Sequence, residues 1–172
     1  MIEQKLIWEG LKRVKGYEVS IAVYTDQQRM YRRCYDVFIA IAASAGTLLS
    51  VCYDQAPLIA TISIAVPSLV KAIYPKIMQS EQELIELDGL LSYYISLSAK
   101  YELLYLNYHT DKISPQIAAE QYAALKEEEA DKVPILNKLQ RRICSRQQKK
   151  NNKEVDEYLK RVFYNNYDTA NK

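Results

Sequence analysis

Five basic side chains towards the C-terminal end carry the clearest chemistry in this sequence. Lys138, Arg142, Arg146, Lys149 and Lys153 fall within about 80° of one another when wound at ~100° per residue. A helix over this stretch therefore carries them as one stripe. Arg141 and Lys150 flank the arc, and no acid appears between Asp131 and Glu154. A row of cations suits phosphate oxygens, through contacts that weaken with salt. Three uses fit: a solvated surface, a site for an anionic nucleotide or oligonucleotide, or a contact to anionic lipid headgroups. Symmetric oligomerisation repeats the stripe and favours a polyanion. Tyr158 and Tyr164 lie near enough in sequence to stack on bases.

Reactive constellations are missing. There is no Walker-type phosphate loop, GxGxxG, HExxH or serine hydrolase elbow. Cys34, Cys52 and Cys144 are far apart, and the single histidine, His109, falls in a polar stretch from Asn107 to Lys112 that reads as a turn. No zinc site or disulfide framework follows from that pattern. The expectation is a protein that is not an enzyme, with no catalytic residue, metal or cofactor.

The elements that position the stripe are read from hydropathy. Between Asp36 and Lys71 the only charged residue is Asp54. Val37 to Tyr53 is 17 residues without a charge and Gln55 to Val70 is 16, against about 20 for a helical membrane span and ~17 as the lower limit. Arg29, Arg32, Arg33, Lys71 and Lys76 flank the runs, and Tyr35, Tyr53 and Tyr74 mark their ends, as in an interfacial belt. The turn Asp54–Pro57 lacks lysine and arginine, so the positive-inside bias places both termini in the cytoplasm. The competing reading is a hairpin buried in a helical oligomer. The first run comes after a charged, tyrosine-rich segment, unlike a signal peptide.

The expected fold is therefore all-α: a transmembrane two-helix hairpin and a cytoplasmic helical bundle, oligomeric. Its segments are an N-terminal helix over 1–34, a hairpin over 35–75 with spans at about 36–53 and 57–74, a helical domain over 76–165 and a tail over 166–172. Within the first span, Asp36, Ala40, Ala43, Thr47, Ser50 and Asp54 recur at 4-3-4-3-4 spacing. Small residues permit close helix packing in lipid; such a stripe also lines a water-filled path when several subunits assemble, with an aspartate ring favouring cations. Pro57, Thr61, Ala65, Ser68 and Ala72 make a second small stripe, and Pro67 marks a kink or hinge within it.

Outside the hairpin, Val14, Tyr17, Ile21, Tyr24, Gln28, Tyr31 and Tyr35 repeat at heptad spacing. So do Leu84, Leu87, Leu91, Tyr94, Ser98, Tyr101, Tyr105 and Tyr108. Sustained 3-4 spacing predicts packed helices, either within one chain or between subunits. Ser114-Pro115 opens a further helix, as cap and first helical residue. That helix runs to Glu127-Glu128-Glu129, read as a solvated face, and Pro134 interrupts the chain before the basic helix. Fifteen tyrosines against two phenylalanines suit half-wet surfaces. A net charge of +2 creates no global attraction for nucleic acid.

The layout, with "YTDQQRMYRRCY" leading into a tight apolar hairpin and long helices after it, resembles the SLATT family of two-transmembrane effectors in bacterial nucleotide-linked anti-phage defence. The resemblance covers roughly residues 10–165 and rests on architecture, since the family has no catalytic signature. It implies a pore-forming effector of the bacterial inner membrane that conducts ions through a homo-oligomer. It also implies gating by a nucleotide or oligonucleotide signal and a functional link to a nucleotidyltransferase. A tetramer is the assembly expected from packing small stripes around an axis. The alternative is a membrane-anchored helical scaffold without a pore.

Overall fold

The computed structural model describes residues 4–52, 65, 68–70, 79–140, 143 and 145–163. Among them the chain forms α1 (Gln4–Cys52), α2 (Glu81–His109), α3 (Pro115–Ala130), α4 (Val133–Gln140) and α5 (Ser145–Phe163), and no strand. The chain divides into two compact units, Met1–Tyr24 with Leu87–Lys172, and Thr25–Glu86.

Local sequence sets the helix ends. At the start of α2, Ser80 Oγ accepts from the Glu83 amide at 3.1 Å, and a Glu83 carboxylate oxygen accepts from the Ser80 amide at 2.9 Å. This is a reciprocal capping box. The helix continues through His109 and closes only beyond it, so the expected turn begins later than Asn107. Asp111 takes a left-handed backbone (φ 53°). The Lys112 amide then reaches the Asn107 carbonyl at 2.9 Å, and the Asp111 amide reaches that of Tyr108 at 3.3 Å. This double closure usually recruits glycine. Ser114 caps α3 with Pro115 at its first position, as expected. Pro134 does not interrupt a helix: it stands in the first turn of α4, where a missing amide hydrogen costs nothing.

In the first unit, α1, α2, α3 and α5 form an up-down-up-down bundle. Trp8 meets Tyr105 and Tyr17 meets Tyr94, so α1 and α2 are antiparallel. Tyr101 meets Tyr122, while the Tyr93 hydroxyl donates to the Glu128 carbonyl, which runs α3 against α2. Trp8 against Phe163 and Ser20 against Asn151 run α5 against α1. The core is made by Ile7, Leu11, Val14 and Ile21 of α1, Tyr94, Leu97, Tyr101 and Leu104 of α2, Ala118 of α3, and Val155, Leu159 and Phe163 of α5, all buried. The two heptad faces are thus largely core within one chain, and the tyrosine seam needs no second subunit. Gly10 sits where a Cβ would lie 2.9 Å from the Tyr101 ring and 3.1 Å from the Tyr122 ring. Its missing side chain lets both rings reach α1.

In the second unit, Leu84, Thr25, Gln28 and Gln79 are buried. The Gln79 amide donates to Gln28 Oε1 at 3.3 Å, and Arg32 meets Glu81 at 3.1 Å.

The all-helical class holds among the described residues, but the transmembrane hairpin does not. Among them no helix is long and apolar enough to cross a membrane. Asp26, Arg29, Arg32, Arg33 and Asp36 occupy α1 just before the apolar run, and from Val37 to its end at Cys52 the helix has 16 residues left, below the ~17 that a span needs at the least. Of the second expected span, only residues 65 and 68–70 are described. The expected placement as a multi-pass protein of the bacterial inner membrane is corrected on the same ground.

Candidate functional site

The site grows from a bare strip on α1. Glu9, Arg13, Gly16 and Ser20 recur at 4-3-4 spacing, which keeps them on one helical face, with Lys12 and Tyr17 beside them. α5 is pinned across this face at intervals. Trp8 and Phe163 meet edge to face with centroids 5.6 Å apart. Lys12 Nζ lies 2.7 Å from Asp156. At the far end Asn151, fully buried, donates to Ser20 Oγ at 3.1 Å and accepts from Gln147 at 2.9 Å.

Between the Lys12–Asp156 and Ser20–Asn151 ties, Gly16 has nothing within 4 Å of where a Cβ would stand. There the two helices part to leave a cleft of about 390 Å³, lined by Glu9, Lys12, Arg13, Gly16, Tyr17, Ser20, Gln148 and Asn152.

The lining is rich in uncommitted polar groups. Arg13 gives one bond, 3.0 Å long, to Glu129, and a guanidinium has five donors. Ser20 accepts from Asn151, leaving its own hydrogen to donate. The amides of Gln148 and Asn152 make no hydrogen bond among the described residues. Tyr17 supplies an aromatic wall and itself stands edge-on to Tyr94 at 5.6 Å. The lining thus offers an aromatic wall at Tyr17, amides at Gln148 and Asn152, cations at Arg13 and Lys12, and one carboxylate at Glu9.

Behind the cleft lies a low-dielectric layer. Glu129 is only 5% exposed, and its carboxylate holds Arg13. Burial by itself lowers the guanidinium's proton affinity, but the charge of Glu129, with smaller contributions from Tyr101 and Tyr17, carries it above the ordinary value. The hydroxyls of Tyr94 and Tyr101 are buried without a hydrogen-bond partner among the described residues. Burial first, and the Glu129 charge second, push both phenols upwards. On the other side of α1, Lys15 bonds Glu18 at 3.0 Å, reaches Glu102 at 3.7 Å and sits 4.5 Å above the Tyr158 ring.

The sequence-predicted residues fall elsewhere. Lys138 is exposed on α4, while Arg146, Lys149 and Lys153 are exposed together on α5; Arg142 lies outside the described residues. α4 ends at Gln140 and α5 begins at Ser145, so the stripe is not one helical face. Lys153 also pairs with Glu157 at 3.7 Å. Gln148 and Asn152 lie on the cleft side of α5, and Lys149 and Lys153 are each turned ~100° from the residue before them.

Tyr158 is engaged by Glu102 at 3.2 Å rather than presented for stacking, and Tyr164 lies outside the described residues. The acidic run is not wholly solvated: Glu128 pairs with Lys100 at 2.7 Å and Glu129 is buried. His109 stacks on Tyr105 at 5.7 Å and its Nδ1 meets Gln4 at 2.6 Å. Of the expected pore residues, Asp36 and Ala40 are exposed on α1; the side chains of Ala43, Thr47 and Ser50, and the whole of Asp54, lie outside the described residues.

The cleft went unread in the sequence. Its one signal is Gly16, a helix-weakening residue set within the 4-3-4 strip. No family model matches the chain, and comparisons with curated proteins and with solved structures found no match.

Proposed function

We propose that this chain is a non-catalytic helical binding module that takes a small anionic ligand of the nucleotide class in the α1–α5 cleft. The observation that carries the reading is the opening at Gly16, with the unbonded amides of Gln148 and Asn152 facing Arg13 and Tyr17. A volume of about 390 Å³ falls in the usual ~300–1,000 Å³ range for small-molecule sites. The basic side chains Arg146, Lys149 and Lys153 contribute a general positive field rather than direct contacts. The expected membrane pore forms no part of this reading.

A second reading, a helical scaffold that binds no small ligand, is favoured by one observation. Both cleft cations already have a carboxylate partner, Lys12 with Asp156 and Arg13 with Glu129.

Thermal unfolding and calorimetry with mononucleotides, cyclic nucleotides and short oligonucleotides, across a salt series, separate the two. A ligand at ~100 times its Kd stabilises by about 2.7 kcal/mol. The double variant Gln148→Ala, Asn152→Ala is expected to lose the shift. Charge reversal at Arg146, Lys149 and Lys153 is expected to weaken binding and flatten its salt dependence. A wild-type protein unmoved by every ligand leaves the scaffold reading in place.

A further inference from the structure

Tyr94 and Tyr101 are wholly buried, yet neither phenol oxygen is hydrogen-bonded among the described residues. A buried polar group without a partner is a standing cost, and in a native fold it calls for a reason. Seven residues apart, the two rings share one face of α2 and bracket one ion pair. Tyr94 stands edge-on to Tyr17, four residues after Arg13. Tyr101 packs over Gly10, three residues before Arg13. From α3, Tyr122 meets Tyr101 edge to face, and the carbonyl of Glu128, next to Glu129, accepts from the Tyr93 hydroxyl. After burial itself, the charge of Glu129 is the strongest influence on the proton of either phenol.

Arg13 faces two ways. It lines the α1–α5 cleft, its side chain is 35% exposed, and it holds Glu129 through one bond of 3.0 Å. A phosphate takes a guanidinium by two parallel bonds, so an anion in the cleft competes for it. Once Arg13 turns away, Lys126, 4.0 Å off, is the cation left beside Glu129, and a buried carboxylate stripped of its partner is costly. From this we infer that Tyr94 and Tyr101 are reserve donors: when a ligand draws Arg13 into the cleft, the Glu129 carboxylate turns to their hydroxyls.

The chemistry favours the exchange. A hydroxyl bond to a carboxylate is charge-assisted and stronger than one between neutral groups, and the fold already bears the burial of both phenols. Both stay protonated at neutral pH, because burial and Glu129 push their proton affinity upwards, so both remain able to donate. In the free chain Glu129 ties α3 to α1; with the cleft filled it ties α3 to α2. Occupancy of the cleft is thereby passed to α3, which contributes no residue to the cleft lining. The inference rests on the cleft reading, since it needs an anion beside Arg13.

Two measurements on the full chain test it, and the first needs no ligand. In thermal unfolding, the double variant Tyr94→Phe, Tyr101→Phe is expected to melt at or above the wild-type midpoint, since it removes no bond. In an Arg13→Met background, where Glu129 has already turned, the same pair of changes is expected to lower the midpoint by about 4 °C or more. The second measurement keeps Arg13, and so stands even where Arg13→Met fails to fold. In calorimetry with AMP, GMP, CMP and UMP, the double variant is expected to bind at least about fivefold more weakly than wild type, although neither tyrosine lines the cleft. Equal changes of midpoint in the two backgrounds, or an unchanged affinity in the double variant, would overturn the inference and leave the cleft reading standing. A wild-type chain that binds no nucleotide removes the cleft reading, and the inference with it.

Discussion

Arg13 and Glu129 are joined 3.0 Å apart across the bundle, and the two ends of the pair live in different surroundings: the Glu129 side chain is 6% exposed and that of Arg13 is 35%. The asymmetry predicts which half of the pair the fold needs more. Arg13→Met leaves the buried carboxylate only its longer contact to a cation, Lys126, 4.0 Å away, and is expected to cost about 2–3 kcal/mol, at or below the low end of the range for breaking a buried pair because Arg13 is partly solvated. Glu129→Gln keeps a hydrogen-bond acceptor beside a cation that water already reaches, and is expected to cost less. Urea unfolding of the two variants ranks them; equal losses would count against the asymmetry.

Gly10 and Gly16 of the first helix predict opposite results. Gly10→Ala drives a methyl into the Tyr101 and Tyr122 rings, an overpacking of about 1–3 kcal/mol that outweighs the ~1 kcal/mol gain in helix propensity. Gly16→Ala meets nothing and is expected to stabilise by about 0.5–1 kcal/mol, while narrowing the cleft. A variant that melts higher yet binds a cleft ligand less tightly is the expected signature.

Alkaline pH is expected to unfold the bundle. Tyr93, pushed up to about 12 by burial and then by Glu128, Glu129 and Asp131, keeps its proton in the fold where an unfolded tyrosine loses it near 10. Tyr94, Tyr101 and Tyr158 shift the same way. From pH ~10 upwards the unfolded chain therefore binds fewer protons than the folded one, and stability falls as pH rises. Lys15 adds to this. Burial lowers its proton affinity, but Glu18, Tyr158 and Glu102 together outweigh burial and the folded value is raised. Its contribution is whole below the unfolded 10.5 and lost above the folded value. Phenolate absorbance should lag behind free tyrosine up to pH ~10, then rise together with the loss of helical signal.

Asn151 is the one polar side chain that ties α5 to α1 from a fully buried position among the described residues. Asn151→Ala leaves the space but removes both bonds, and is expected to cost about 1–3 kcal/mol. Amide hydrogen exchange should rise along α5 before it rises along α2.

Much of the bundle was legible because burial repeats at the helical period. Val14, Ile21, Tyr24, Tyr94, Ser98 and Tyr101 were placed on inward faces by spacing alone, and all are buried. The Ser114-Pro115 start was legible for a local reason: a cap needs only its neighbours. Charge and hydropathy misled where they were taken along one continuous helix. The basic stripe dissolves at the α4–α5 break, and the run after Asp36 was read as a span on composition alone. The cleft was illegible for a different reason. It depends on what does not stand opposite Gly16, and one chain's local pattern carries no record of an absent neighbour.

The chain's only tryptophan stands where three helices meet, its ring tilted against Tyr105 of α2 with centroids 5.0 Å apart and edge-on to Phe163 of α5. Nature has in effect installed a fluorophore at one end of the cleft. Any event that loosens α5 wets Trp8, and its emission moves to longer wavelength without a label being attached.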